Sequence, residues 1–305
     1  MTTPRNIVAS VLARLRNVAT DSDLSFNDIL QAYVIERFLA RIARSAQADT
    51  VLLKGALMLR VWGVPRARPT MDIDFLRRGI ADQAVLVQFV EQCAAIEDLS
   101  DGVIFEPSTI SVESIRDATE YVGTRIRLQA RLANVRPTVQ IDFGVGDAVH
   151  PQAQIVEYPV LLAGPPIRLH AYPVEAAIAE KFHAMIDLDL QNSRLKDFYD
   201  IWVLSRTLGF SGHGLREAIR YTFQRRQTSV PTTVPVALTA VFYDDPIHAR
   251  QWSAFVRRIG EAALADDFER VAGDLVEFLM PVAGAAATAA AVDHPVRWEP
   301  PGPWQ

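Results

Sequence analysis

The chain has 305 residues, of which half are apolar and 22% are charged. This balance excludes wholesale disorder and suits two packed domains, or one large domain with a helical extension. The formal net charge of -5 argues against a protein that binds nucleic acid over its whole surface, because such proteins carry a basic surplus.

The sequence predicts a cytoplasmic location without a membrane span. Its single cysteine, Cys93, cannot form an intramolecular disulfide, and residues 1–16 lack the apolar block of a signal peptide. The longest uncharged stretch, 278–292, is too short for a bilayer and is interrupted by Pro281.

Two helices are predicted within residues 1–48, where they form a scaffold packed on the core. The second helix follows Ser25 and Asp28, which have the spacing of a capping box. Its apolar stripe has helical periodicity and consists of Leu30, Val34, Phe38 and Ile42.

Short apolar runs in residues 49–170 predict a mixed α/β unit around one sheet, so the fold class is α+β. Extended segments are expected near 51–53, 71–76, 103–105, 122–132 and 139–143, with helices near 56–62 and 83–96. Prolines 165, 166 and 173 mark the end of this unit.

A helical domain is predicted over residues 171–282. Its helices are expected near 174–190, 196–208, 213–226, 247–259 and 267–279. Residues 283–305 are rich in alanine and proline, which predicts a flexible tail, although Trp298 and Trp304 could dock.

The segment 71–75 alternates between apolar and acidic residues. In a strand, Asp72 and Asp74 project from one face, whereas Met71, Ile73 and Phe75 project from the other. Carboxylates about 7 Å apart along a strand repel each other unless a cation lies between them, and Mg²⁺ prefers such oxygen ligands. A strand with a solvated acidic face is the alternative.

Residues 139–143 repeat the alternation and offer Asp142 as a third carboxylate, if the two strands are neighbours. Three acids on adjacent strands suit two-metal phosphoryl transfer. An ordinary surface role for Asp142 stays open at this point.

A glycine, Gly55, lies between Lys54 and Ala56, where a strand gives way to a helix. Backbone N–H groups at such a turn can hold phosphates, but a glycine can also serve turn geometry alone. Further along, Lys181 and Asp197 lie in line with the apolar faces of two helices. They pair with each other, or Lys181 binds triphosphate oxygens while Asp197 orients it.

Two groups of arginines are candidates for nucleic-acid contact, with solvated arginine faces as the alternative. They are Arg125, Arg127 and Arg131 on one extended segment, and Arg216, Arg220, Arg225 and Arg226. The six histidines show no spacing typical of metal ligands, so a histidine-ligated metal enzyme is set aside.

Several strings together resemble the AbiEii family of nucleotidyltransferase-like toxins, over roughly the first two thirds of the chain. They are Leu53-Lys54-Gly55-Ala56-Leu57, Arg68-Pro69-Thr70-Met71-Asp72-Ile73-Asp74-Phe75, Gln140-Ile141-Asp142, Glu180-Lys181-Phe182 and Arg194-Leu195-Lys196-Asp197-Phe198-Tyr199-Asp200. The resemblance implies a nucleotidyltransferase-like core sheet flanked by helices, with a C-terminal helical domain.

The resemblance also implies an activity: Mg²⁺- or Mn²⁺-dependent transfer of a nucleoside monophosphate from a triphosphate to an acceptor. In several relatives the acceptor is the 3′ end of tRNA, and a cognate antitoxin is the expected partner. Gly55 and Ala56 match the nucleotide-binding turn, where Ala56 replaces a second glycine. Lys54 lies beside that turn.

The remaining positions follow from the same resemblance. Asp72 and Asp74 match the metal-binding strand, Lys181 and Asp197 match the distal catalytic motifs, and Thr70 matches a hydroxyl residue that is phosphorylated in relatives. The expected cleft gathers these acids and Lys181 around the triphosphate.

Two other functions compete with this one. A protein could be the acceptor of a nucleotide or phosphate, since the acidic net charge fits a protein acceptor no worse than RNA. Alternatively, the altered glycine turn permits a catalytically inactive module that binds a partner.

Overall fold

The structure is a computed structural model that describes residues 4–22, 24–65, 67–116, 122–145, 149–288 and 296–305. The chain divides into two compact units, residues 1–147 with 154–171 and residues 148–153 with 172–305. None of the described helices is both long and apolar enough to cross a membrane.

The first unit contains four described helices and seven described strands. The helices are α1 (Pro4–Thr20), α2 (Phe26–Arg44), α3 (Met58–Val61) and α4 (Gln83–Ala94). The strands are β1 (Val51–Lys54), β2 (Asp72–Arg77), β3 (Ile104–Arg116), β4 (Val122–Arg131), β5 (Thr138–Val145), β6 (Gln154–Tyr158) and β7 (Ile167–Ala171).

These strands form one mixed sheet in the order β3-β4-β5-β2-β1-β7-β6. The pairs β2–β5 and β1–β7 are parallel, and the other neighbours are antiparallel. The predicted α+β class is confirmed. Asp142 was expected as a third carboxylate only if its strand is a neighbour of the strand that carries Asp72 and Asp74. Strand β5 does lie directly beside β2.

Helices α2 and α4 cover one face of this sheet. Phe89 of α4 lies edge-on to Phe143 of β5, which stacks on Phe75 of β2. Phe38 of α2 packs against Phe105 of β3. Because side chains alternate along a strand, the neighbouring even-numbered residues of β2 and β5 project from the opposite face.

The start of α2 follows directly from its sequence. The Ser25 hydroxyl accepts a hydrogen bond from the Asp28 backbone N–H at 3.2 Å and donates one to the Asp28 carboxylate at 2.6 Å. This arrangement satisfies a backbone donor that the first turn would leave unpaired. The predicted stripe, Leu30, Val34, Phe38 and Ile42, is fully buried.

The second unit is mostly helical. Its helices are α5 (Val174–Leu188), α6 (Leu195–Thr207), α7 (Gly212–Arg225), α8 (Ala240–Tyr243), α9 (Pro246–Arg258) and α10 (Phe268–Ala287). Two short strands, β8 (Phe210–Ser211) and β9 (Arg297–Trp298), pair antiparallel.

The segment expected to be a flexible tail is packed against helices in its described part. Helix α10 continues to Ala287, and residues 289–295 lie outside the described ranges. The Trp298 indole is buried and donates to the Ser205 carbonyl at 2.6 Å, while Trp304 stacks on Phe278. Burial of these tryptophans offsets the conformational entropy lost when the segment becomes ordered. The alanine- and proline-rich composition of the segment did not predict this.

Two local expectations need correction, and one strand was not expected. Met71 does not enter the apolar face, because it precedes β2 and is 55% exposed. The helix expected near 56–62 is a 3₁₀ turn, Gly55–Leu57, followed by the single-turn helix α3. Strand β7 was not expected; it lies in the proline-marked region near 165–173 and pairs with β1 inside the sheet.

Candidate active site

Four charged residues lie in register across four adjacent strands of the sheet. Arg125 of β4 is opposite Asp142 of β5, Asp142 is beside Asp74 of β2, and Asp74 is opposite Lys54 of β1. We call this set the charged row. Paired residues on neighbouring strands project from the same face, so two carboxylates lie between two cations on the face opposite α2 and α4.

A second row of residues lies two positions away along strands β2, β5 and β4. It places Asp72 beside Gln140, and Gln140 opposite Arg127. The Arg127 guanidinium donates to the Gln140 side-chain oxygen at 3.0 Å and to Glu113 of β3 at 2.8 Å. Asp72, Asp74 and Asp142 therefore share one face of two parallel strands, as the alternation predicts.

Arg125 holds Asp142 in a bidentate ion pair. The Nε and Nη2 atoms donate to the two carboxylate oxygens of Asp142, each at 2.7 Å. The hydrogen bonds to Asp142 raise the pKa of the Arg125 guanidinium above its ordinary value; burial opposes this, and the charges of Asp142 and Asp72 reinforce it. Arg125 is thus a member of this site that the sequence indicated only as a candidate for nucleic-acid contact.

Gly55 forms the surface on which the Asp74 carboxylate lies. Its φ is +71°, a left-handed conformation that L side chains rarely adopt. A Cβ atom at this position would lie 2.8 Å from Cγ and 2.9 Å from Cβ of Asp74. The glycine therefore serves both the turn and the position of the acid, and the Lys54-Gly55-Ala56 string belongs with the Asp72–Asp74 string.

A cavity of about 370 Å³ opens beside the glycine turn. Ala56 and Leu57 of the turn contribute to its wall, together with Arg68, Thr70 and Met71 from the segment before β2. The Thr70 hydroxyl is within 3.4 Å of the backbone N–H of Asp72. Thr70 therefore lies beside Asp72, where an added phosphate would place negative charge.

The carboxylates fit a hard divalent cation by their chemistry. Asp72 and Asp74 offer oxygen ligands on one face, and Mg²⁺ commonly takes one or two carboxylates and completes its shell with water and phosphate oxygens. Within the described ranges, no three carboxylate, imidazole or thiolate groups form a preassembled metal cluster. Asp142, expected as the third ligand, is bound by Arg125 instead.

In the second unit, Lys181 of α5 is bound by two acids of α6. Its ammonium contacts the Asp197 carboxylate and lies 2.9 Å from the Asp200 carboxylate. Both acids are buried, so the lysine offsets their desolvation cost. The sequence indicated Asp197 but missed Asp200, although a spacing of three residues places the two acids on one helix face. That this group faces the acids of β2 stays a prediction.

Arginines of both groups make ion pairs within the protein. Arg131 of β4 pairs with Glu106 of β3, as Arg127 does with Glu113. On α7, both Arg216 and Arg220 pair with Glu217. These contacts favour intramolecular charge pairing over a free basic surface on these side chains.

The sequence matches the family model described as nucleotidyl transferase AbiEii toxin, type IV toxin–antitoxin system, over residues 37–274. The chain belongs to the AbiEii family. The matched region contains the glycine turn, the charged row and the Lys181 group. No curated protein matches this AbiEii chain.

Two solved structures are similar in overall fold. One is a protein from H. pylori described as a candidate nucleotidyltransferase; it is 15% identical with a TM-score of 0.47, covering 84% of this chain and 99% of that one. The other is JHP933 from Helicobacter pylori, at 14% identity and a TM-score of 0.44, covering 87% and 92%. At these scores the resemblance to this AbiEii protein is loose.

Proposed function

We propose that this AbiEii protein transfers a nucleoside monophosphate from a nucleoside triphosphate to the 3′ end of tRNA, and so blocks translation. The observation that carries the proposal is the charged row, in which Asp74 and Asp142 lie side by side between Lys54 and Arg125. Such a row offers oxygen ligands for cations and cationic groups for phosphates on one face.

The chemistry is an in-line displacement. The terminal hydroxyl of the acceptor gives its proton to solvent and attacks the α-phosphorus of the triphosphate. The bond from that phosphorus to the bridging oxygen breaks, and pyrophosphate leaves with its electron pair. Bound magnesium would lower the pKa of the attacking hydroxyl and neutralise the pyrophosphate. Asp72 and Asp74 would hold the cation, while Lys54, the Gly55 turn and Lys181 would position the phosphates.

The biological setting follows from the family. An AbiEii protein of a type IV system implies a cognate antitoxin, which we propose is encoded separately and opposes the growth arrest. A cytoplasmic location would give the enzyme both triphosphates and tRNA. Phosphorylation of Thr70 would silence it, because the added charge would lie beside the acids.

A direct test is incubation of the protein with Mg²⁺, each labelled triphosphate and total tRNA, followed by sequencing of the RNA 3′ ends. We expect label at the 3′ end from one preferred triphosphate. Asp74→Asn should reduce the rate at least about 100-fold, since it removes a charge at the position where the cation is held. Chelation of the metal should abolish the reaction.

Glu157→Gln provides a matched control, because it removes an exposed carboxylate from β6 of the same sheet. Its transfer rate should equal that of the wild type. Absence of label in RNA with all four triphosphates would refute the tRNA proposal. An equal rate for Asp74→Asn and the wild type would refute the placement of the active site.

A further inference from the structure

The ion pair between Arg125 and Asp142 occupies both oxygens of the acid that lies nearest to Asp74 along the charged row. Asp142 is only 13% exposed, and Arg125 reaches it from the neighbouring strand. A cation shared by Asp74 and Asp142 would therefore compete with the Arg125 guanidinium for the same carboxylate. Because of this competition, the ion pair of Arg125 would lower the affinity of the site for the metal.

We propose that Arg125 is a positioning residue that exchanges partners: it holds Asp142 in the ligand-free protein and moves to the oxygens of the polyphosphate when a divalent cation binds Asp142. The inference rests on the proposed nucleotidyltransferase function and extends it. It assigns Arg125 a role in the binding of the cation and the polyphosphate. Asp142 becomes a metal ligand only when Arg125 releases it.

The geometry of the guanidinium suits both partners. Its planar fork matches a carboxylate in the bidentate contact, and the same fork matches two oxygens of a phosphate. The exchange replaces one charge-assisted contact by another, so the guanidinium keeps an anionic partner throughout. In the ion pair, the Arg125 guanidinium also offsets the charge of Asp142 and so reduces its repulsion with Asp74 on the neighbouring strand.

Arg131 provides a control for Arg125, because it pairs with a carboxylate outside the charged row. Arg131 is on the same strand and projects from the same face, but its carboxylate partner is Glu106 of β3, on the side away from the acids. Removing Arg131 therefore breaks an ion pair of β4 without freeing a carboxylate of the charged row. Arg125 and Arg131 are thus matched in strand and face, although the contact of Arg131 with Glu106 is a single one and is more exposed.

The first measurement is the affinity for Mn²⁺ alone, measured by electron paramagnetic resonance without nucleotide. Removal of the competing guanidinium should make Arg125→Gln bind Mn²⁺ about tenfold more tightly than the wild type. Arg125→Lys keeps the charge but loses the bidentate contact. Its affinity for Mn²⁺ should lie between those of the wild type and Arg125→Gln. Arg131→Gln should bind Mn²⁺ as the wild type does.

The second measurement is the affinity for inorganic tripolyphosphate in saturating Mg²⁺, measured by calorimetry. Here Arg125→Gln should bind about tenfold more weakly than the wild type, because the phosphate oxygens lose their guanidinium partner. Opposite changes in the two affinities are the signature of partner exchange. A purely structural arginine would weaken both affinities or neither, and either result would overturn the proposal.

Failure of this inference can be distinguished from failure of the proposed function. If the wild type binds Mn²⁺ and Asp72→Asn abolishes that binding, the metal site exists, and unchanged affinities in Arg125→Gln then refute only the role of Arg125. If neither the wild type nor Arg125→Gln binds Mn²⁺ without nucleotide, the exchange proposal fails, whereas the proposed function stands or falls with the labelled-transfer assay. Far-ultraviolet circular dichroism of each variant checks that it is folded.

Discussion

At the scale of single residues, two glycines of the first unit have the same backbone conformation in different surroundings. Gly55 and Gly63 have φ of +71° and +70°, so any side chain is strained at either position. An added Cβ would meet Asp74 at Gly55, whereas it would meet no atom within 4 Å at Gly63. The pair therefore separates backbone strain from displacement of the acid.

We predict that Gly63→Ala lowers the free energy of unfolding by about 1 kcal/mol, measured by urea denaturation, and that Gly55→Ala lowers it further because its Cβ must also displace Asp74. Only Gly55→Ala should also lower nucleotidyl transfer, by about 100-fold, because it shifts the Asp74 carboxylate. Equal transfer rates in the two variants would show that the position of Asp74 does not depend on the bare glycine.

At the scale of elements, helix α2 is fastened to the loop after α4 by two arginine–aspartate pairs of different burial. The pair of Arg41 with Asp101 is buried, with side-chain exposures of 1% and 2%. The pair of Arg44 with Asp98 is exposed at 48% and 24%. Coulomb attraction in solvent is screened, whereas a buried charge without its partner is costly.

Asp101→Ala should therefore lower the free energy of unfolding by about 3–5 kcal/mol, since it leaves the Arg41 guanidinium buried without its acid. Asp98→Ala should cost less than about 1 kcal/mol. Thermal and urea denaturation of the two variants provide the comparison. Similar losses would mean that burial does not set the strength of these pairs.

The strands show how far local patterns predict elements. Alternation located β2 and β5 well, because their apolar residues face a covered side of the sheet. Strand β3 was expected only near 103–105 but runs to Arg116. Its later side chains are largely polar, and among the described strands it pairs with β4 alone. An edge strand carries a weak apolar signal because less of it is buried.

At the scale of the whole molecule, the proposed function assigns roles to residues of each unit. The first unit carries the charged row, and the second carries Lys181 with Asp197 and Asp200. If Lys181 served only to pair with its acids, its loss would affect stability alone. If it also positions phosphate, its loss would weaken the binding of polyphosphate too.

We predict that Lys181→Gln weakens the affinity for tripolyphosphate in Mg²⁺ about tenfold, in addition to destabilising the fold. Lys196→Gln is the control, because it removes an exposed lysine from the first turn of α6, next to Asp197. Calorimetry below the unfolding temperature measures both. Unchanged affinity in a less stable Lys181→Gln would assign the lysine a purely structural role.

The sequence alone determined the features that local geometry controls. Helical periodicity gave the positions of α5, α6 and α7 within about two residues, and the alternation in residues 71–75 placed Asp72 and Asp74 on one face. Both follow from the fixed repeat of a helix or a strand, which any short window of sequence contains. The family resemblance came from the same short strings.

Only the tertiary structure decided which strands are neighbours. It placed Asp142 beside Asp74, put the Asp74 carboxylate over Gly55, joined Arg125 to Asp142 and inserted β7 next to β1. These contacts join residues that are distant in the chain. They depend on strand order and register, which the burial of the whole core selects and no local repeat specifies.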